Sequence, residues 1–332
     1  MVFPISICCL ALTLSNGSQV LNTSNTSAHQ SQPSQSRPTQ VAPTALVAII
    51  GLLVGNLILT LGDIAIKSLG ASVGLFQYLA IRYLLTLMLI WPIWRRLSAK
   101  QRAPSGFKIH LLRGHLSLLG AVCAFYSLLH LSLATANVIF YAAPLVTLLL
   151  ARIWLKQALT YVQVTQVCLG FIGVMIALRP DELHWTVLTA ITVAFTVALF
   201  NLLSCKMPKN QAMPSMVLWG NLSALPLSVV LAIIFWQPLQ IEMLILAAIV
   251  AITTTLYQVI AAKAYRNSSA GEIVIAEYSG LLFALLIGIF SFNEPAHWYT
   301  LTGISLIILP MAWQSAHLYR KRASTMQTPS AS

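Results

Sequence analysis

From Ala45 to Ala316 the chain is a succession of apolar stretches separated mostly by short polar connections. Each stretch runs about 18 to 22 residues, the length a helix needs to cross the hydrocarbon of a bilayer. They fall at 45–66, 73–94, 116–133, 136–155, 161–178, 185–203, 215–236, 243–262, 271–292 and 297–316. The pattern predicts an all-α integral membrane protein with ten transmembrane helices.

Composition excludes a soluble domain. Apolar residues make up 58% of the 332 residues and charged residues 8%, against about 25% charged in an average soluble domain. The net charge of +12 raises nucleic acid as a partner, but the positions of the bases point elsewhere. With the N-terminus in the cytoplasm, Arg95, Arg96, Lys100, Arg102, Lys108 and Arg113 fall in a cytoplasmic loop after the second span. Arg37, the pairs Arg152/Lys156, Lys206/Lys209 and Lys263/Arg266, and the tail Arg320, Lys321 and Arg322 fall on that side too. Lys67, Arg82 and Arg179 are the exceptions among 19 bases. This bias predicts a multi-pass protein of the cytoplasmic (inner) membrane, both termini cytoplasmic, with lipid and not nucleic acid around it. All eight tryptophans stand near predicted helix ends, as an interfacial belt requires.

The ends add little chemistry. Residues 2–14 are apolar but too short to span, with no base before them as a signal peptide has. Residues 15–43 are rich in Ser, Asn, Gln, Thr and Pro, so 1–44 is expected to be a polar, disordered extension. Its sequons at Asn16, Asn22 and Asn25 face the cytoplasm by the charge bias and carry no weight. Five cysteines, two of them (Cys123 and Cys168) inside spans, show no disulfide or zinc spacing, and no residue pattern calls for a metal or cofactor.

The two halves repeat. Asn137–Pro144 (NVIFYAAP) followed by Gln157 resembles Val274–Leu281 (VIAEYSGL) followed by Glu294, at an offset of about 137 residues, with Tyr141 opposite Tyr278. Five spans per repeat is an odd number, so the second copy is expected to run through the membrane inverted. Residues 45–178 and 185–316 are then two five-helix repeats, and 317–332 a basic tail. Inverted repeats of this kind place a substrate site near the midplane between them.

Several residues together resemble the EamA family of the drug/metabolite transporter superfamily, over roughly 45–316. They are Pro144, the Gly170–Phe171–Ile172–Gly173 run with Arg179–Pro180, Glu277–Tyr278, and Phe292–Asn293–Glu294–Pro295. Asp63 with Lys67 four residues on, and Arg82, resemble the branch of the family with an Asp-x-x-x-Lys pattern in its first helix and an Arg in its second. Gln157 departs from the Glu common in the family at that place. The resemblance implies ten helices in two repeats and transport of a metabolite by alternating access, without naming the cargo.

The charged and polar residues within spans are the candidate site. A charge at the bilayer centre costs about 2.5–3.5 kcal/mol on insertion scales, so it must face the bundle interior or a wet cavity. Arg82 has two readings: a permanent ion pair with Asp63 or Glu277, or a planar fork for a substrate carboxylate or phosphate. Asp63 either packs against Lys67 or Arg82 or exchanges protons, which makes protons a candidate coupling ion; Lys67 is expected to snorkel to the outer interface. Glu277 suits a cationic group or a proton, and Tyr278 and Tyr141 suit stacking on a substrate ring or packing between helices. Asn201 and Asn221 fall opposite Asp63 and Arg82 in the repeat and are candidates to hydrogen-bond the far end of a zwitterionic or anionic substrate. Glu272 lies less deeply. Pro144, Pro226 and Pro310 permit kinks, and the glycine pairs Gly51/Gly55, Gly170/Gly173 and Gly280/Gly288 permit close helix approach.

The expected function is a secondary transporter of a small polar metabolite, amino-acid-like, nucleobase- or nucleoside-like, or vitamin-like, acting as monomer or homodimer. An exporter of cationic compounds using Glu277 and Asp63 is the rival within transport. A non-transporting receptor or assembly protein is the rival outside it. A membrane enzyme is disfavoured, because no His-x-x-x-His, Gly-x-Ser-x-Gly or Cys/His cluster occurs.

Overall fold

The computed structural model describes residues 43–154, 161–178, 185–208, 211–267 and 276–327. The N-terminal extension, Gln157, Arg179, Pro180 and Glu272 lie outside these residues. Among the described residues every regular element is a helix. In chain order they are α1 (Pro43–Leu69), α2 (Leu75–Arg95), α3 (Ala99–Arg102), α4 (Phe107–His130), α5 (Leu133–Phe140), α6 (Ala143–Trp154) and α7 (Tyr161–Leu178). The second half continues with α8 (Trp185–Cys205), α9 (Met213–Ile234), α10 (Ile241–Asn267), α11 (Ser279–Phe292) and α12 (Trp298–Gln327).

Among the described residues eight helical segments are long and apolar enough to cross a membrane, with α5 and α6 together forming the fourth. The stretches expected at 271–292 and 297–316 correspond to two shorter apolar helices, Ser279–Phe292 and Trp298–Pro310. The third span starts earlier than its hydropathy indicated, at Phe107 instead of 116. Gly106, at φ 77, makes the left-handed turn into it. His110 and Arg113, polar enough to read as loop, share one face of this helix and are buried by its neighbours.

Local chemistry sets the breaks. The backbone leaves α4 at Leu131, and Ser132 then caps α5 by accepting from the Thr135 N–H (3.0 Å). Pro144 has no N–H to give the Phe140 carbonyl, so the fourth span is interrupted by a turn at Tyr141–Ala142. A turn also stands at Tyr278, immediately before α11, so the paired tyrosines both sit at helix interruptions. Asn293, at φ 50, ends α11 in the left-handed conformation that asparagine tolerates.

The helices pack in recurring pairs: α1 on α10, α2 on α9, α4 on α8, and α7 on α12. α10 also meets α2, α9 meets α4, α6 meets α8, and α11 meets α1 and α5. Small residues allow the closest of these approaches. A Cβ on Gly173 of α7 would stand 2.8 Å from the Gly303 carbonyl oxygen of α12, which is backbone and has nowhere to go. One continuous apolar core, including Leu79, Leu128, Leu133, Leu145 and Leu281, runs through both halves. Large apolar side chains such as Ile153, Ile233 and Phe290 are exposed on the outside of the bundle, where a lipid-facing helix puts them.

Candidate functional site

Of the charged residues within the spans, Asp63, Arg82 and Glu277 fall in two neighbouring clusters. The first surrounds a small cavity between α1, α2, α4 and α10, where Asp63, Tyr78, Arg82 and Thr254 supply polar atoms and Gly62 and Ala124 make room. Its free space is about 20 Å³, enough for about one water molecule. Arg82 is 6% exposed, and its Nε and Nη2 have no hydrogen-bond partner. The guanidinium lies 4.5 Å from the ring centre of Tyr83. Asp63, equally buried, lines the same cavity, but no salt bridge within 4.0 Å joins it to Arg82. Asn137 of α5 directs its amide toward the Asp63 carboxyl, and Tyr78 and Tyr141 lie within its electrostatic reach. Two opposite charges thus share a cavity without neutralising each other. Of the two readings of Arg82, a permanent ion pair with Asp63 is not what the structure contains.

The second cluster joins α1 to the break before α11. The Tyr257 hydroxyl of α10 donates to Glu277 Oε1 at 2.7 Å. Asn56 Nδ2 reaches the carbonyls of Ala276 (2.8 Å) and Glu277 (3.0 Å) and the Ser279 hydroxyl (3.2 Å). These bonds satisfy carbonyls freed where the helix is interrupted. The Tyr141 and Tyr278 rings stand 5.7 Å apart and tilted by 42°. A Cβ on Gly280 would collide with the Tyr141 hydroxyl, so this glycine makes the place for the tyrosine. The Tyr278 hydroxyl has no partner.

Asn201 and Asn221 are not drawn into either cluster. Asn201 on α8 is fully buried with both amide atoms unpartnered, and Asn221 on α9 donates to the Val217 carbonyl of its own helix (2.7 Å). Neither lines the Asp63–Arg82 cavity.

Lys67 departs from its expected course. It neither snorkels to water nor pairs with Asp63; its Nζ binds Glu294 Oε1 at 2.9 Å and donates to the Leu131 carbonyl at 2.7 Å. Glu294 in turn accepts the Leu133 N–H at 3.0 and 2.8 Å, capping the start of α5. One ion pair therefore serves the orphan carbonyls at the end of α4 and an orphan N–H at the start of α5. It is tethered to α1 and to the turn after α11. The i,i+4 spacing suggested an Asp63–Lys67 pair, but the break at Leu131–Ser132 offers Lys67 both a carboxylate and free carbonyls.

Sequence reasoning missed Asn56, Tyr78 and Tyr257. Two of them had a signal: Asn56 lies two helical turns before Asp63, and Tyr78 one turn before Arg82, each on the same face as the charge. Tyr257 had none, because its partner Glu277 is brought to it only by the packing of α10.

With only helices and, among the described residues, eight segments long and apolar enough to cross a membrane, packed around buried charges, this is a multi-pass membrane protein. The sequence pattern of the EamA-like transporter family matches residues 46–179 and 184–313. The chain belongs to that family. It is 25% identical over 248 residues to an S-adenosylmethionine uptake transporter of Rickettsia bellii, covering 74% of this chain and 85% of that protein. It is also 25% identical over 253 residues to a riboflavin transporter of Vibrio cholerae, covering 73% and 84%. A solved crystal structure of another protein superimposes with a TM-score of 0.56 over 84% of this chain and 98% of that one, at 17% identity, which is a likeness of fold.

Proposed function

We propose that this protein is a secondary transporter that carries a small polar metabolite through the cytoplasmic membrane by alternating access of the Asp63–Arg82 cavity. The observation that carries the reading is Arg82: a buried guanidinium with two unpartnered nitrogen positions, facing a cavity that also holds an unpaired carboxylate. A buried charge without a partner is costly, and a ligand that supplies the partner recovers that cost on binding. A cargo with a carboxylate for Arg82 and an ammonium beside it for Asp63 satisfies both, and the Tyr78, Tyr141 and Tyr278 rings suit an apolar or aromatic remainder. S-adenosylmethionine, carried by the Rickettsia relative, has such an amino-acid end together with a nucleobase.

Ten spans in two inverted repeats are part of this proposal, and the packing pairs support them. Exchanging each span for its counterpart in the other half turns the α1–α10 contact into α8–α4, α2–α10 into α9–α4, and α11–α1 into α6–α8. The same exchange leaves α2–α9 and α7–α12 unchanged, and all of these contacts occur. An inverted pair of repeats has this property, and rocking one against the other exposes a central site to each side in turn. The proposal has both termini in the cytoplasm and the Lys67–Glu294 end outside, a topology that the base-rich connections support.

The rival, a proton-coupled exporter of cations, draws on Asp63 being free of Arg82. The deciding experiment is thermal unfolding of purified protein against amino acids, nucleosides, nucleobases, vitamins and quaternary amines, repeated on Arg82→Ala. A ligand at 100 times its Kd stabilises by about 2.7 kcal/mol. A carboxylate-bearing ligand whose shift disappears in the variant supports the proposal; a shift with cations alone, unchanged in the variant, supports the exporter. Uptake of the stabilising ligand into proteoliposomes then tests transport itself.

A further inference from the structure

A second buried guanidinium lies outside the cavity. Arg113 stands eight residues before Ala121, the nearest cavity-lining residue of α4, about 12 Å along the helix toward its start. Arg113 is 2% exposed and stacks on the Phe200 ring of α8, 4.2 Å from the ring centre. Its Nη1 donates to the Met207 sulfur at 3.0 Å, and its Nε has no partner. A thioether is a weak, uncharged acceptor and does not neutralise a cation. No acid of the described residues takes that role. Asp63 lines the cavity, Glu277 holds Tyr257, Glu294 holds Lys67, and Glu242 is exposed at the start of α10.

Other groups around Arg113 are also unsatisfied. One turn earlier His110 is fully buried, with its Nε2 receiving the Gln211 side-chain amide at 3.0 Å and its Nδ1 unpartnered. With Nε2 accepting, the ring proton of the neutral imidazole sits on Nδ1, a second buried donor without an acceptor. Lys108, two residues before His110 on α4, and Lys206, beside Met207, are exposed. They add positive potential at the mouth of the cluster.

We infer that Arg113 and His110 form a binding site for an oxyanion, the phosphate or carboxylate group of a ligand entering from the end of the bundle that bears Lys108 and Lys206. Phe200 covers one face of the guanidinium, so the ligand meets it edge-on, where the planar fork matches two oxygens of a carboxylate or phosphate. Met207 is the cover. Its unbranched side chain has three rotatable bonds and swings away without moving a helix. A free phosphate or carboxylate and the headgroup phosphate of an acidic lipid share this chemistry. The site is distinct from the transport cavity and does not depend on what Arg82 binds.

The test is thermal unfolding of the full chain in neutral detergent with inorganic phosphate or acetate, at ionic strength held constant with potassium chloride. A parallel arm compares nanodiscs of phosphatidylglycerol with nanodiscs of phosphatidylcholine. The expected result, read in the Arg82→Gln background so that the cavity's own guanidinium adds no anion response, is a saturable rise in Tm with phosphate, acetate or phosphatidylglycerol, weakened about tenfold or more when Arg113→Gln is added. A response in detergent assigns a free anion, and one in phosphatidylglycerol alone assigns a lipid headgroup. If Arg113→Gln does not fold, Met207→Ala decides: removing the cover should tighten the same ligand's binding. No saturable response in either arm, an equal response in Arg113→Gln, or an unchanged response in Met207→Ala overturns the site.

Discussion

Replacing Glu294 by Gln tests whether the Lys67–Glu294 pair holds this end of the bundle together. Glutamine keeps one oxygen for the Leu133 N–H but removes the charge from a 2.9 Å ion pair and weakens the two bonds, 3.0 and 2.8 Å, that cap α5. Exposed pairs contribute about 0.2–1 kcal/mol, and breaking a buried pair costs about 3–5 kcal/mol. The two side chains are 15% and 13% exposed, nearer the buried limit. Lys67 keeps the Leu131 carbonyl at 2.7 Å, which limits the damage. The expected loss is about 2 kcal/mol, or a fall in Tm of about 3 °C for a chain of this length. The assay is a double-mutant cycle with Lys67→Met, read by thermal unfolding in detergent. If the pair is a coupled unit, the double variant loses about 1–2 kcal/mol less than the sum of the single ones. Additivity within about 0.5 kcal/mol would refute the reasoning, because it would mean that each side chain acts through its backbone contacts alone.

Arg82→Met should leave Tm unchanged or raised, since it removes a buried charge without a partner, while weakening a carboxylate ligand about 100-fold or more, measured by ligand titration; a large loss of Tm would show that Arg82 serves packing. Asp63→Asn should weaken amine-bearing ligands about tenfold and leave ligands that have only a carboxylate unaffected, and an equal loss for both would remove Asp63 from ammonium recognition. Gly280→Ala should cost about 1–3 kcal/mol, because the new methyl meets the Tyr141 hydroxyl; Tyr141→Phe in the same background should recover part of that loss, and no recovery in thermal unfolding would place the strain elsewhere.

How far the sequence reached depended on the range of the interaction involved. The need to bury every backbone N–H and C=O inside a bilayer makes an apolar stretch of sufficient length a helix, so most of the spans were legible from hydropathy alone. Pro144 and Ser132 marked their breaks by local chemistry, and Asp63, Arg82 and Glu277 marked themselves by the cost of charge in hydrocarbon. Hydropathy failed for the start of α4, because a window average counts His110 and Arg113 as polar wherever they point. Only the packing against α8 and the connection after it turns that face inward. Partner choice lay beyond the sequence for the same reason. Spacing along α1 offered Asp63 to Lys67, yet the chosen carboxylate is Glu294, 227 positions away on the chain and brought close by the docking of α11 on α1 and α5. Periodicity fixes which face of a helix a side chain occupies, since it depends on the residue's own helix. What that face meets, whether Arg82 against the cavity it shares with Asp63 or Lys67 against Glu294, depends on the other helices, and only the tertiary structure decided it.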